Sequence, residues 1–405
     1  MENSSYIKSL SLLDNYDLLL LSYLYKYKVL SVETCWISSY AGLYPDFSSC
    51  FQARIAPLIA NQIVSYQPDA RFQYVIMLTG KGQDLLRMSQ GLDRYYEDKN
   101  GKIKRTLLKP SENAVKESQI PHQAALSDFL IRFSLKYYHD YAEKIEAGSS
   151  LITEVEEPVG RYDYFRPDGI LKIPGLTIFV EQDMGSETRY MLTEKWNEYQ
   201  RYLAAIAGTE EHTDQKIVVP FIETCPSSYF QTRCDVIRRT MEPVFFEMLD
   251  GKFEVFLGTE EEMLSAMFER VLPDFFGSSI RLDPLRTRFM QEGFKVSDGE
   301  KIAPQISGTQ FDFFVQKTCN GKIIEENGVI QAYAVDDYDH YPCSVLAKAG
   351  HLGRISSLFE LAYRSIPLNY MILASDPERL RRDLAAIGVK EGNHLFIRKK
   401  EKTGG

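Results

Sequence analysis

Residues 161–203 read RYDYFRPDGILKIPGLTIFVEQDMGSETRYMLTEKWNEYQRYL. The pattern predicts a strand, a tight turn, a second strand, a glycine turn and a helix. Asp168 follows Pro167 near the middle of the first predicted strand, and Glu181 and Asp183 end the second. Side chains alternate across a strand, so Glu181 and Asp183 point the same way and Gln182 points the other. Met184-Gly185-Ser186 turns the chain, with Ser186 as the expected helix cap. On the helix, Met191, Lys195 and Tyr199 are four apart and share a face. If that face returns to the strand ends, Lys195 meets the carboxylates.

Carboxylates gathered around one point bind a hard divalent cation, Mg²⁺ first among them. Such a cation activates an oxygen nucleophile and stabilises charge on a phosphoryl oxygen. A nearby lysine adds a positive group for the transition state. Taken singly, each acid also reads as a solvated strand end and Lys195 as an exposed helix residue. As a set they read differently. Ile178, Phe179 and Val180 form a buried run, and acids closing a buried strand stand where α/β sheets carry their sites.

Pro167-Asp168 followed by Glu181-x-Asp183 resembles the P-D…(D/E)-x-K signature of the restriction-endonuclease-like nucleases. The third position departs from it, being Asp183 where that fold has lysine, and Lys195 on the following helix is the candidate replacement. The longer pattern of Glu181, Asp183, Gly185, Ser186, Glu187, Lys195 and Tyr199 is similar to the replication-relaxation family, over about residues 10–260. That family includes MobC-type conjugative relaxases, which have a restriction-endonuclease-like core in place of a tyrosine-and-histidine one. The resemblance implies Mg²⁺ or Mn²⁺ held by Asp168, Glu181 and Asp183, with Lys195 in a catalytic role. It also implies a histidine at the head of a long helix, a place that His122 occupies, assisting the metal or the scissile phosphate. The same position also reads as a structural histidine near a helix start.

Composition sets the bounds. The 405 residues suggest two or three domains, and 44% hydrophobic with 25% charged content is that of an ordinary globular protein. No apolar run approaches the roughly 20 residues of a membrane span, and the start lacks a signal-peptide pattern. The expectation is a cytoplasmic protein without a membrane segment. The cysteines at 35, 50, 225, 234, 319 and 343 form no C-x-x-C pair and read as small buried hydrophobes. A net charge of −9 argues against a protein that coats nucleic acid, yet leaves room for a local basic surface.

Residues 14–29 have helical spacing. A short helix from Ser31 or Thr34 through Tyr40 follows, then a third from Ser48 or Ser49 carrying Phe51, Ile55, Leu58 and Ile59. Strands are expected at 63–66 and 72–78 and a helix from Thr79 through Leu86. Together these predict a winged helix-turn-helix over 1–92, in which the third helix enters the DNA major groove and the wing touches phosphates. Arg54 and Arg71 are its candidate DNA contacts, although the module is not basic, and protein contact or dimerisation is the other use of such a fold. Residues 93–119 read as a linker with a basic loop, KNGKIKR at 99–105, in which Lys102, Lys104 and Arg105 would follow a phosphate backbone or form a charged hairpin tip.

A restriction-endonuclease-like mixed-sheet core is expected over 120–273. It comprises a long helix from Pro121-His122, a strand at 152–155, the central unit, a strand at 216–222, a helix over 227–249, a strand at 253–257 and a helix over 260–271. Arg233, Arg238 and Arg239 read as a solvated helix face or as phosphate contacts. A linker over 274–309 and a C-terminal α/β region over 310–405 complete the chain. There Asp312, Asp336-Asp337 and Lys348 weakly echo the central unit, so the region reads as a second, degenerate nuclease-like domain or as an acetyltransferase-like end, and Asp337, Asp339 and His340 read as a polar loop or a metal cluster.

The first functional expectation is a metal-dependent DNA-nicking relaxase or endonuclease of a plasmid or integrative mobile element, cutting at an origin-like site alongside other relaxosome or replication proteins. The alternative is a non-catalytic DNA-binding replication or transcription regulator with a degenerate nuclease fold, and a weaker third is a nuclease of a defence system.

Overall fold

The structure, a computed structural model, describes residues 11–90, 94–97, 103–106, 114–155, 162–209, 215–245, 253–277, 282–298, 311–319, 322–323, 325–326, 329–330, 332–362, 368–392 and 394–400. It is a mixed α/β structure that divides into two compact units, residues 1–155 and 156–405. Among the described residues no helix is long and apolar enough to cross a membrane.

In the first unit, helix α1 (Asn15–Tyr27) is opened by a reciprocal cap. Asp14 accepts from the Tyr16 and Asp17 amides, and Asp17 accepts from the Asp14 amide. Strand β1 (Val29–Ser31) follows at once, where helical spacing was expected to run to residue 29. Helix α2 (Val32–Ser39) is capped by Ser31. Phe47–Cys50, Phe51–Ile55 and Ala56–Ala60 run on as one helix, α3, with a π-helical middle turn. Strands β2 (Val64–Asp69) and β3 (Gln73–Leu78) form an antiparallel hairpin, and β1 pairs with β3, giving the order β1-β3-β2. Helix α4 (Gly80–Gln90) passes so close to the sheet that a Cβ on Gly82 would stand 2.1 Å from the Ile63 carbonyl oxygen. Val29 and Val75 pack on Ile120 and Ala124 of helix α5 (Ile120–Asp140).

The expected linker over 93–119 is corrected in part. It contains an antiparallel hairpin, β4 (Arg94–Glu97) with β5 (Ile103–Thr106). The hairpin agrees with the charged-hairpin alternative for 99–105, although its strands show no periodicity in the sequence, each being only four residues long and strongly charged. The long helix α5, joined in the sequence reading to the core, lies in the first unit with helix α6 (Ala142–Glu146) and strand β6 (Ile152–Val155).

Among its described residues the second unit holds two larger sheets and a separate two-stranded pair. In the first, β7 (Gly169–Ile173) and β8 (Leu176–Asp183) are an antiparallel hairpin, and β9 (Lys216–Glu223) and β10 (Phe253–Gly258) add parallel to β8 in the order β10-β9-β8-β7. Every residue of β8 is buried, as expected of a strand covered on both faces. Helices α7 (Arg189–Ile206) and α8 (Ser227–Phe245) make the crossovers, and both pack into one core with Phe179, Val219, Phe221 and Val255. Glu260–Ala266, Met267–Val271 and Leu272–Phe275 continue as helix α9.

The expected linker over 274–309 is also corrected. It contains helix α10 (Leu282–Gln291) and strand β11 (Phe294–Asp298), whose Phe289 and Val296 face the second sheet. After it the chain runs through β12 (Phe313–Cys319), the short strands β13 (Lys322–Ile323), β14 (Glu325–Glu326) and β15 (Val329–Ile330), then β16 (Ala332–Asp337), β17 (Asn369–Ala374) and β18 (Leu395–Lys399), and all of these but β14 and β15 join that sheet. Its order is β11-β12-β16-β17-β18, with β14 and β15 pairing separately. Helices α11 (Pro342–Gly350), α12 (Leu352–Ala362) and α13 (Pro377–Ala386) connect the strands.

Candidate active site in the second unit

Asp168 does not lie within a strand, as the sequence suggested. It immediately precedes β7. The hairpin register pairs Gly169 with Val180, so one step further Asp168 stands opposite Glu181. The Gln182 amide donates to Asp168 Oδ2 at 2.8 Å and fixes that carboxylate against the end of β8. Gly185 turns the chain with φ of 74°, a conformation that favours glycine. The cap of α7 is Thr188 and not Ser186: its side chain accepts from the Met191 amide.

The cap sets the phase of α7, and its inward face returns to the strand ends. Lys195 Nζ donates to Glu181 Oε2 at 2.9 Å and lies 2.9 Å from Glu187 Oε1. One turn later the Tyr199 hydroxyl donates to Glu181 Oε1 at 2.7 Å. Lys195 Nζ also sits 5.3 Å from the centre of the Phe221 ring. Burial raises Glu181, the Lys195 ammonium opposes that rise and Asp168 adds to it, and the carboxyl is pushed up to about 7. Burial works against the Lys195 charge, but Glu181, Asp168 and Glu187 outweigh it and hold the ammonium above its ordinary range. Glu187 Oε2 is buried without a hydrogen-bond partner.

Asp183 shares the face of Glu181 but turns to a different partner. Arg233 on α8 grips it with two bonds, Nε to Oδ2 at 2.5 Å and Nη2 to Oδ1 at 2.9 Å. The third arm of the guanidinium donates to the Glu187 carbonyl at 2.7 Å. Burial raises Asp183, and Arg233 outweighs it, so the carboxyl lies below its ordinary value. Next to it on β9, Glu223 is pushed up to about 7 by burial and by Asp183. Glu223 accepts from the Cys225 amide at 2.7 Å. Sequence reading missed Glu223; the available signal was an acid closing a buried apolar strand, the same signal that marked Glu181.

The expected set of Asp168, Glu181 and Asp183 therefore does not close on one point. Among the described residues no three acidic, histidine or cysteine side chains gather as a metal site. Asp168, Glu181 and Lys195 do come together. Asp168 and Glu181 are neighbouring carboxyl groups, and two ionised carboxylates are a donor set of the kind that Mg²⁺ accepts from proteins when substrate phosphates complete its shell.

The remaining expected residues lie elsewhere. His122 is on the first turn of α5, in the first unit. Arg54 Nη2 pairs with Asp14 at 2.7 Å, and its guanidinium also bonds the buried Asp17, which accepts from the Tyr40 hydroxyl at 2.6 Å. Arg71 is exposed at the β2–β3 turn, over the Phe72 ring. Lys104 and Arg105 are on β5, and Lys102 lies outside the described residues. Arg238 and Arg239 bind Asp383 and the Ala386 carbonyl, so they join α8 to α13. At the end of β16 Asp337 pairs with Lys400 at 2.8 Å, and in the loop that follows His340 pairs with Asp274 at 2.6 Å and Asp339 accepts from the Ser375 amide. These contacts favour the polar-loop reading over a metal cluster.

Comparison with curated proteins finds no match, and neither does comparison with solved structures. The family model described as replication-relaxation matches residues 36–219, which take in the first unit from α2 onward and the hairpin and helix that carry Asp168, Glu181 and Lys195. The match supports that family for this stretch of the chain and suggests a role in plasmid replication or relaxation.

Proposed function

We propose that the chain is a metal-dependent DNA-nicking enzyme of a mobile element, with a restriction-endonuclease-like core whose centre is Asp168, Glu181 and Lys195. The observation that carries this reading is the Lys195 ammonium 2.9 Å from Glu181, on the strand that also fixes Asp168. It is the acid–acid–lysine set of the nuclease signature, with the lysine supplied from the following helix. Asp168 and Glu181 would hold Mg²⁺ or Mn²⁺. Bound there, the cation would supply Lewis-acid stabilisation of a phosphoryl oxygen and an activated water. The chain's own groups act around it. Tyr199 orients the Glu181 carboxylate, and Lys195 offers protons to a scissile phosphate as its charge grows. Asp183, Glu223 and Arg233 brace the strand ends.

In the first unit, the order α1-β1-α2-α3-β2-β3 with its β1-β3-β2 sheet supports a winged helix-turn-helix that reads DNA. Arg54 is committed to Asp14 and Asp17, and Arg71 at the β2–β3 turn remains a candidate phosphate contact, as do Lys104 and Arg105 by their charge in the sequence. The test is to incubate the purified chain with supercoiled DNA of its own locus in Mg²⁺, Mn²⁺ or EDTA. Open circles that need the metal and vanish with Asp168→Ala support the reading. A gel shift without nicking, insensitive to Asp168→Ala, supports the second reading, a DNA-binding regulator. That alternative is favoured by Asp183, which stands at the usual lysine position and is bound to Arg233.

A further inference from the structure

The second sheet repeats the first. The hairpin β7-β8 continues into parallel β9 and β10; the hairpin β12-β16 continues into parallel β17 and β18. Helices fill the same crossovers. The match extends to atoms. Register pairs Gly169 with Val180 and Phe313 with Val335, so Asp312 stands opposite Asp336 as Asp168 stands opposite Glu181. The amide after the strand acid donates to the hairpin aspartate at 2.8 Å in both, Gln182 to Asp168 and Asp337 to Asp312. A lysine from the next helix reaches the strand acid, Lys195 at 2.9 Å and Lys348 at 2.8 Å. A tyrosine hydroxyl completes each set at 2.7 Å, Tyr199 from the helix and Tyr370 from the next strand.

The two centres differ in what they leave open. Glu181 takes one donor on each oxygen, whereas Asp336 takes three in all, because the Asp312 amide also donates to Oδ1 at 2.8 Å. The Lys195 side chain is 17% exposed and that of Lys348 is 8%. Glu187, paired to Lys195, keeps a buried oxygen without a partner; among the described residues no such atom lies on the residues that bind Lys348. Buried polar groups in folded proteins are normally paired, with protein, water or an ion, so the Glu187 oxygen calls for a partner from outside the chain. Helix α11, which carries Lys348, is also pressed against the first sheet: Ser344 bonds Glu254 of β10, and Cys343 and Ala347 belong to the first core.

We propose that residues 311–399 are a second copy of the 167–258 unit whose centre has become structural, an internal ion-pair lock beside the first copy, so that each chain carries one working centre. The proposal rests on the reading of Asp168, Glu181 and Lys195 as that centre. On that reading a chain with two such units would break one strand and not two.

The test is Mn²⁺ titration of the full chain followed by electron paramagnetic resonance, with circular dichroism and thermal melts as controls. Glu181→Gln, Asp312→Asn and Asp336→Asn are compared with the parent. Asp312→Asn guards against misfolding, because Asp312 is only half-buried and the Asp336–Lys348 pair is retained. The second-copy variants are expected to bind as many Mn²⁺ ions as the parent, with Kd within about twofold, and to melt at lower temperature. Loss of one ion in Asp312→Asn or Asp336→Asn overturns the proposal, as do unchanged melts in both. Loss of the ion in Glu181→Gln upholds the first centre. No bound ion in the parent, with the melts still lowered, removes the reading of the first centre and leaves the structural role of the second standing.

Discussion

Replacing Arg233 by methionine breaks a doubly bonded, buried charge pair of the site. Asp183 is fully buried, and Arg233 is 4% exposed and bonds it twice. With charge centres about 4 Å apart and an effective dielectric near 20, the attraction is roughly 4 kcal/mol. Removing one partner of such a pair leaves an uncompensated buried charge and costs about 3–5 kcal/mol. At roughly 2–4 °C per kcal/mol for a unit of this size, the melting temperature falls by about 6–20 °C at pH 8. The loss shrinks as pH drops. In the parent, Arg233 keeps Asp183 below its ordinary value, so the stability it contributes is present above the ordinary carboxylate range and fades as pH falls through the folded value. In the variant, Asp183 can take up a proton in place of remaining charged. Pairing Arg233→Met with Asp183→Leu is expected to recover most of the loss, since an apolar pair of similar volume is often as stable as a buried ion pair. Urea denaturation of the four proteins at pH 8 and pH 5 measures this. A single-variant loss below about 1 kcal/mol, the range of surface pairs, refutes the reasoning, as does a double variant no more stable than the single.

Other changes have equally definite outcomes. Burial pushes Glu254 up to about 7, and a raised acid contributes stability that is present at low pH and lost as pH rises through the folded value. Glu254→Gln keeps an acceptor for Ser344 and is expected to equal the parent near pH 5 and exceed it at pH 8, as read by thermal melts. Gly82→Ala places a methyl 2.1 Å from the Ile63 carbonyl and 2.8 Å from Leu78 Cδ1. Such overpacking costs about 1–3 kcal/mol or more, and the first unit is expected to show it as faster hydrogen exchange across β2 and β3.

Much of the central unit was legible because its signals are local. Alternation placed Glu181 and Asp183 on one face, and the four-residue spacing put Lys195 and Tyr199 on one stripe; the structure has both on Glu181. What escaped depended on distance in sequence. Asp183 is claimed by Arg233 50 residues later, and an arginine on a helix reads as solvated until the fold shows what it faces. The second copy was visible only as an echo. Asp312 and Asp337 lie 25 residues apart, with the β13–β15 excursion between them, whereas 14 residues separate Asp168 from Gln182. The tyrosines of the two centres also come from different elements, so no common spacing links them. Strands β11 and β18 were missed because short or edge strands carry charges and lack a continuous apolar stripe.

On the proposed reading, Lys195 acts on a phosphate beside Asp168 and Glu181. Single-turnover cleavage of an end-labelled native-locus duplex in Mg²⁺ by Lys195→Met, with binding measured in parallel in Ca²⁺, tests it most directly. A fall in rate of about 10²–10³-fold with DNA affinity held is the expected result. A variant that folds, binds and cuts at the parent rate would contradict it.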